Sequence, residues 1–154
     1  TLETLDGSVV KQGEQAVTAA PAADTPILDM DFADAVNGDN QRMVIFVAEL
    51  SQGDSIVATN VATFVPNKHL ALRKPALETS VTVHDGQVAI ELKADTLARF
   101  VEVAFDGADA IFSDNYFDLP AGRSRTIAAP LPAGWTAEQA TQALRVRSLY
   151  DAFA

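Results

Sequence analysis

An all-β fold, arranged as β-sandwiches, is predicted by three observations on the chain. Short apolar runs are broken by Gly, Asp, Asn or Pro at intervals of roughly eight to twelve residues. Most of these runs alternate apolar and polar residues, the period of a half-buried strand. Helical periodicity occurs in one place only, Ala137–Ala143.

In the first part of the chain, strands are predicted at Ser8–Lys11, Gln15–Ala19, Ile27–Phe32, Arg42–Leu50 and Ser55–Phe64. Ile27–Phe32 reads I-L-D-M-D-F, with Leu28, Met30 and Phe32 on one face and Asp29 and Asp31 on the other. Such a strand has one wet side. Arg42–Leu50 is apolar on both faces and belongs at the centre of its sheet, and Gln52-Gly53-Asp54 turns the chain into a hairpin partner. Residues 65–76 break the alternation with two prolines and three basic residues. A partial domain over 1–66, a connector over 67–75 and a second domain over 76–154 are therefore expected. Pro75 makes the connector stiff, because it biases Lys74 to an extended conformation.

The second part alternates more regularly. Val81 and Val83 lead to Asp85-Gly86, and Val88, Ile90 and Leu92 follow on one face of the next strand. Asp-Gly between such strands predicts a two-residue hairpin loop, since both positions must accept positive φ. Further strands are expected at Arg99–Phe105, Ala110–Leu119, Arg125–Ala129 and Leu144–Asp151, separated by Asp106-Gly107 and Pro120-Ala121-Gly122. The one short helix, placed before the last strand, starts at an N-cap Thr136 with Gln139 three residues on, the spacing of a capping box. About five strands in the first part and six in the second compare with about seven in a complete immunoglobulin-like sandwich. The first domain is thus expected to lack strands on its N-terminal side and to leave an unpaired edge open to self-association.

Composition narrows function. The 154 residues are 48 % hydrophobic and 21 % charged, and no apolar run approaches the length of a membrane-spanning helix. Acids outnumber bases by 21 to 11, with 10 against 5 in residues 1–75 and 11 against 6 afterwards. This diffuse acidity argues against nucleic-acid and anionic-membrane partners, which need clustered Lys and Arg. The absence of cysteine removes disulfides and thiolate metal sites and suits a cytoplasmic location, and the N-terminus shows no signal-peptide pattern.

The run F-S-D-N-Y-F-D-L at Phe112–Leu119, followed by P-A-G-R-S-R-T-I, resembles the last domain of family 2 glycoside hydrolases of the β-mannosidase type. V-P-N-K-H-L-A-L at Val65–Leu72 resembles the connector into that domain, and L-R-V-R-S-L-Y-D at Leu144–Asp151 its closing strand. Residues 1–64, with L-D-G-S-V-V and I-F-V-A-E-L, are similar to later strands of the preceding immunoglobulin-like domain. The resemblance implies tandem immunoglobulin-like sandwiches at the non-catalytic C-terminal end of an enzyme that releases terminal β-linked mannose with retention. Two Glu residues in an upstream (β/α)8 barrel would carry that chemistry. The family's acid/base Glu follows an Asn, whereas Glu3, Glu14, Glu49, Glu78, Glu91, Glu102 and Glu138 follow Leu, Gly, Ala, Leu, Ile, Val and Ala. No catalytic residue, cofactor or metal is therefore assigned to this chain, and its expected partners are upstream domains of the same polypeptide.

Several residues admit sharper readings. Asp114, Asn115 and Asp118 around Tyr116 and Phe117 fit a calcium loop or a sugar-binding cluster, because hard cations take oxygen ligands and sugars take amides, acids and aromatic platforms. They fit better a bend fixed by side chains bonded to backbone amides, with Tyr116 and Phe117 facing opposite ways. Trp135, Tyr116 and Asn115 are the sugar-contact candidates under the alternative that the chain is an accessory carbohydrate-binding module. Trp135 also precedes a helix N-cap, where an apolar residue packs back on the core. His69, in the basic connector, and His84, at the hairpin edge, lie fifteen residues apart with no cysteine, a poor basis for zinc.

Overall fold

The structure is a computed structural model and describes residues 1–18, 20–22 and 24–153. In chain order it contains β1 (Leu2–Thr4), β2 (Val9–Lys11), β3 (Val44–Gln52), β4 (Ser55–Thr63), β5 (Leu77–His84), β6 (Gln87–Ala94), β7 (Ala98–Phe105), β8 (Phe117–Leu119), β9 (Ser124–Pro130), α1 (Ala137–Ala143) and β10 (Leu144–Arg147). Short 3₁₀ turns lie at Asn67–His69 and Leu149–Ala152. The chain divides into two compact units, Thr1–Thr4 with Ser8–Leu70, and Leu5–Gly7 with Ala71–Ala154.

The first unit holds one antiparallel sheet in the order β2-β1-β3-β4. β3 occupies an interior position, as its doubly apolar sequence requires, and Val44 and Ile45 are both buried although they point to opposite faces. Gly53, at φ 59°, and Asp54 form the loop that sets Gln52 opposite Ser55. The three-residue β1 was not anticipated from the sequence; it pairs Leu2 with Phe46, Glu3 with Ile45 and Thr4 with Val44.

Two predicted strands of this unit do not form. Gln15–Thr18 belongs to no ladder, and Ala19 lies outside the described residues. Ile27–Phe32 is also unpaired, with Ile27, Leu28 and Met30 exposed. Alternation marks a surface that suits a sheet, but a strand also needs a neighbour to take its backbone groups, and none of the described residues pairs with it. Phe32 alone is anchored, its ring 5.1 Å from that of Phe46 and 5.6 Å from that of Phe64. Beyond it the Asp31 carboxylate accepts the Ala33 amide at 2.8 Å and starts a turn.

The second unit is a sandwich of two three-stranded sheets, β5-β6-β9 and β10-β7-β8. Val88, Ile90 and Leu92 of β6 and Ile127 of β9 meet Val101, Val103 and Phe105 of β7 and Phe117 and Leu119 of β8 in one core. The Asp85-Gly86 loop has φ 50° and 73°, the positive pair expected of a two-residue hairpin. α1 has its capping box: the Thr136 hydroxyl accepts the Gln139 amide at 3.2 Å, and the Gln139 side chain accepts the Thr136 amide at 2.8 Å. Its buried Ala140 joins the core.

Two strands of this unit are shorter than predicted. Of Ala110–Leu119 only Phe117–Leu119 is a strand; before it the chain is held without a ladder, by the Asn115 side chain on Val103 and by Ser113, whose amide donates to the Ala128 carbonyl at 2.7 Å. Leu144–Asp151 stops at Arg147: the Asp151 carboxylate accepts the Ser148 amide at 2.8 Å and diverts the chain into the terminal 3₁₀ turn.

Candidate functional site

The polar run Asp114–Asp118 leads into β8 beside β7. The Asn115 side chain accepts the Val103 amide at 2.8 Å and donates to the Val103 carbonyl at 2.9 Å. One amide side chain thus makes both bonds that a paired residue would make and extends the β7–β8 ladder by a step. Asp114 accepts the Asn115 amide at 2.7 Å and pairs with Arg125, whose guanidinium carbon lies 4.7 Å from the centre of the Phe117 ring. Phe117 is 7 % exposed and Tyr116 64 %, so the two rings face opposite ways.

Tyr116 has φ 59°, uncommon for a bulky residue, and its hydroxyl lies 3.3 Å from the Glu102 carboxylate, which also pairs with Arg147 at 3.4 Å. Across the strand pair, Arg99 and Phe100 form a bulge opposite Asp118, between the Ala98–Leu119 and Val101–Phe117 pairs, and Phe100 too has positive φ, 49°. Asp118 Oδ1 accepts the Phe100 amide at 3.1 Å and lies 3.4 Å from Arg99 Nε. That contact is an ion pair without hydrogen-bond alignment, and Arg99 is 8 % exposed. Burial pushes the Asp118 carboxyl above its ordinary value; the charge of Arg99 and the Phe100 amide pull it back only in part.

Each acid of this cluster is therefore engaged by an arginine and by a backbone amide or a hydroxyl, an arrangement that fixes a bend and a bulge. Among the described residues no group of three or more His, Asp or Glu is placed to hold a metal ion. The sequence-derived candidates separate. Asn115 and Tyr116 lie together at the start of β8, whereas Trp135 stands half-buried with its ring edge-on to Phe105 at 5.7 Å. His69 offers its carbonyl to Arg42 Nε at 2.6 Å, and His84 lies exposed at the β5–β6 hairpin beside Asp85. The Arg99–Phe100 bulge was missed; its sequence signal is an apolar Phe100 out of phase with Val101, Val103 and Phe105.

Comparison with known families follows the same division. The Ig_mannosidase family model, an "Ig-fold domain", matches residues 72–152, and the Mannosidase_ig model, a "Mannosidase Ig/CBM-like domain", matches residues 1–69. The chain belongs to the mannosidase immunoglobulin-fold family. A solved structure similar to these mannosidase Ig domains is that of the β-D-mannosidase from Dictyoglomus thermophilum, at TM-score 0.79 and 20 % identity over 97 % of this chain. The chain spans 18 % of the length of that protein. No curated protein sequence matches it. No helix among the described residues is long and apolar enough to cross a membrane.

Proposed function

We propose that this chain is the non-catalytic C-terminal region of a β-mannosidase-like glycoside hydrolase and braces a catalytic (β/α)8 barrel that hydrolyses terminal β-mannosides with retention. The observation that carries the reading is the pair of mannosidase Ig families laid end to end over residues 1–69 and 72–152. The absence of any Asn-Glu pair supports it, as does the engagement of the cluster acids by Arg99, Arg125 and Arg147. A retaining glycosidase needs two carboxyl groups about 5–5.5 Å apart, one of them an acid with raised pKa in a shaped pocket. Asp118, the acid raised here, is instead committed to Arg99 and the Phe100 amide.

The test is expression of this chain alone and of the full reading frame that contains it, each assayed on an aryl β-mannoside. Turnover is expected from the full protein and only background from the chain. Turnover by the chain alone that a single Asp or Glu replacement abolishes would overturn the reading. A second reading, an accessory carbohydrate-binding module, is favoured by one feature, the 64 % exposed Tyr116 ring. Titration with manno-oligosaccharides would then perturb Tyr116 and its neighbour Asn115. Within the bracing reading, any pairing of isolated copies is assigned to β2 and β4, the edges of the four-stranded sheet.

A further inference from the structure

Of the five asparagines in this chain only Asn37 is followed by glycine. The other four precede Gln41, Val61, Lys68 and Tyr116, residues whose side chains crowd the backbone nitrogen. Asn37 and Gly38 are exposed and belong to no ladder, in the turn between Phe32 and β3. The Asn37 amide donates to Asn40 Oδ1 at 2.9 Å, and the Asp39 amide donates to Asn37 Oδ1 at 3.0 Å. The Asn40 and Gln41 amides donate to the Asn37 carbonyl at 3.2 and 2.9 Å. Within this run, the Gly38 N–H alone meets no acceptor among the described residues. A Cβ placed on Gly38 would have no neighbour within 4 Å, so the space beside it is open.

We propose that Asn37 is a site of spontaneous deamidation through a cyclic imide, a property that does not depend on the bracing reading above. The Gly38 nitrogen gives up its proton and bonds to Asn37 Cγ. The bond from Cγ to the side-chain nitrogen breaks, and ammonia leaves with that proton. Water then opens the imide at either carbonyl, to an aspartate or an isoaspartate at position 37. Three features of the turn favour ring closure. The nucleophile has no hydrogen bond to surrender. The Asp39 N–H sits on Asn37 Oδ1, the oxygen on which negative charge develops, as a donor in an oxyanion hole does. Glycine leaves the backbone free to turn toward the side chain. Asn115 has the opposite arrangement: its side-chain oxygen and nitrogen are both bonded to Val103, and the Tyr116 N–H that would attack it donates to Asn115 Oδ1 at 3.1 Å. Either product adds one negative charge to a chain already at −10. The aspartate keeps the main-chain carbonyl that holds the Asn40 and Gln41 amides. In the isoaspartate the main chain runs through the former side chain, that carbonyl becomes a free carboxylate, and the connection into β3 is one carbon longer.

The test is incubation of the protein at neutral pH, folded and in urea, with every asparagine followed by peptide mass spectrometry and with Gly38→Ala and Asn37→Asp made alongside. The expected result is a more acidic species on ion exchange whose mass gain maps to position 37 and divides between aspartate and isoaspartate. Conversion of Asn37 should be about as fast in the folded protein as in urea. Conversion of Asn115 should be slower in the folded protein by on the order of a hundredfold, because three hydrogen bonds must be undone first. Gly38 has no positive φ and an empty Cβ position, so Gly38→Ala should leave the melting temperature of fresh protein unchanged and slow conversion several-fold. Asn37→Asp should remove the mass gain at this position. In the isolated isoaspartate form the Asn40 and Gln41 amides should exchange with solvent faster than in fresh protein. An Asn37 rate that falls on folding as far as that of Asn115 would overturn the proposal, since the fold would then shield the turn. So would an unchanged rate in Gly38→Ala, since the glycine nitrogen would then not set the rate.

Discussion

The two units of this chain carry the same sequence pattern to different ends. In the second, Val88, Ile90 and Leu92 alternate along β6, all of them are fully buried, and the strand is paired on both sides, by β5 and β9. In the first, Leu28, Met30 and Phe32 alternate just as regularly, yet Leu28 is 59 % exposed and the run joins no ladder among the described residues. Alternation therefore states what a segment can do, and the neighbouring strands decide whether it does. A unit with two sheets converts the pattern into a core, and a unit with one sheet leaves part of it in water.

Substitutions that reach the core of the second unit should give the largest effects. Phe117 is 7 % exposed, packs with Val101 and Val103, and lies beneath Arg125. Phe117→Ala should cost about 3–5 kcal/mol, read from urea denaturation, because it removes a large buried ring and leaves a cavity. A cost under about 1 kcal/mol would mean that this core is no better closed than the first unit. Asp114→Ala should follow at on the order of 1–2 kcal/mol, the usual loss when a side chain that holds a backbone amide is removed. Were the Asp114–Asp118 run a calcium loop, the order would reverse: removing an acid would relieve repulsion in the metal-free protein, and calcium would raise the melting temperature of the unmutated chain by mass action. The expected result is destabilisation by Asp114→Ala and no shift with calcium.

The Arg99–Asp118 contact predicts a pH dependence of defined sign. Burial holds the Asp118 carboxyl above its ordinary 3.8, so the folded chain binds this proton more tightly than the unfolded chain does. Asp118's stabilising contribution is then fully present below pH 3.8 and is lost as pH rises through the folded value. The stability of the unmutated protein minus that of Asp118→Asn should accordingly fall as pH is raised from about 4 toward neutrality. The other carboxylates cancel in the difference. A difference that rises over this range would show that Arg99 outweighs burial.

Legibility followed the source of each signal. The Asp85-Gly86 hairpin and the Thr136–Gln139 capping box were read to the residue because both are local: the conformation depends on the two to four side chains that form it. The immunoglobulin-like fold and the mannosidase family were legible in Phe112–Leu119 and its flanks, and the family comparison bears them out. What the sequence hid was non-local. β1 is only three residues long and exists because β3 offers it an edge; the strand predicted at Ala110–Leu119 shrank to Phe117–Leu119, with the Asn115 side chain bonded instead to Val103, twelve positions away. The bulge at Arg99–Phe100 showed in the sequence only as a phase slip, and its partner Asp118 could not be named before β7 and β8 were known to pair.

The smallest effect expected is the one that isolates the comparison. Leu28→Ala and Leu92→Ala delete the same atoms from two runs of the same period, one in each unit. Leu92 is fully buried between β5 and β9, so its truncation should cost about 2–5 kcal/mol. Leu28 is 59 % exposed and already touches water over most of its side chain, so in this chain alone its truncation should stay within about 0.5 kcal/mol of zero. The pair separates sequence pattern from structural context, because helix and strand propensities barely differ between the two sites and only burial does. A cost at Leu28 approaching that at Leu92 would mean that residues 27–32 are packed as a strand even without further polypeptide, and the contrast between a covered and an uncovered sheet would have to be abandoned.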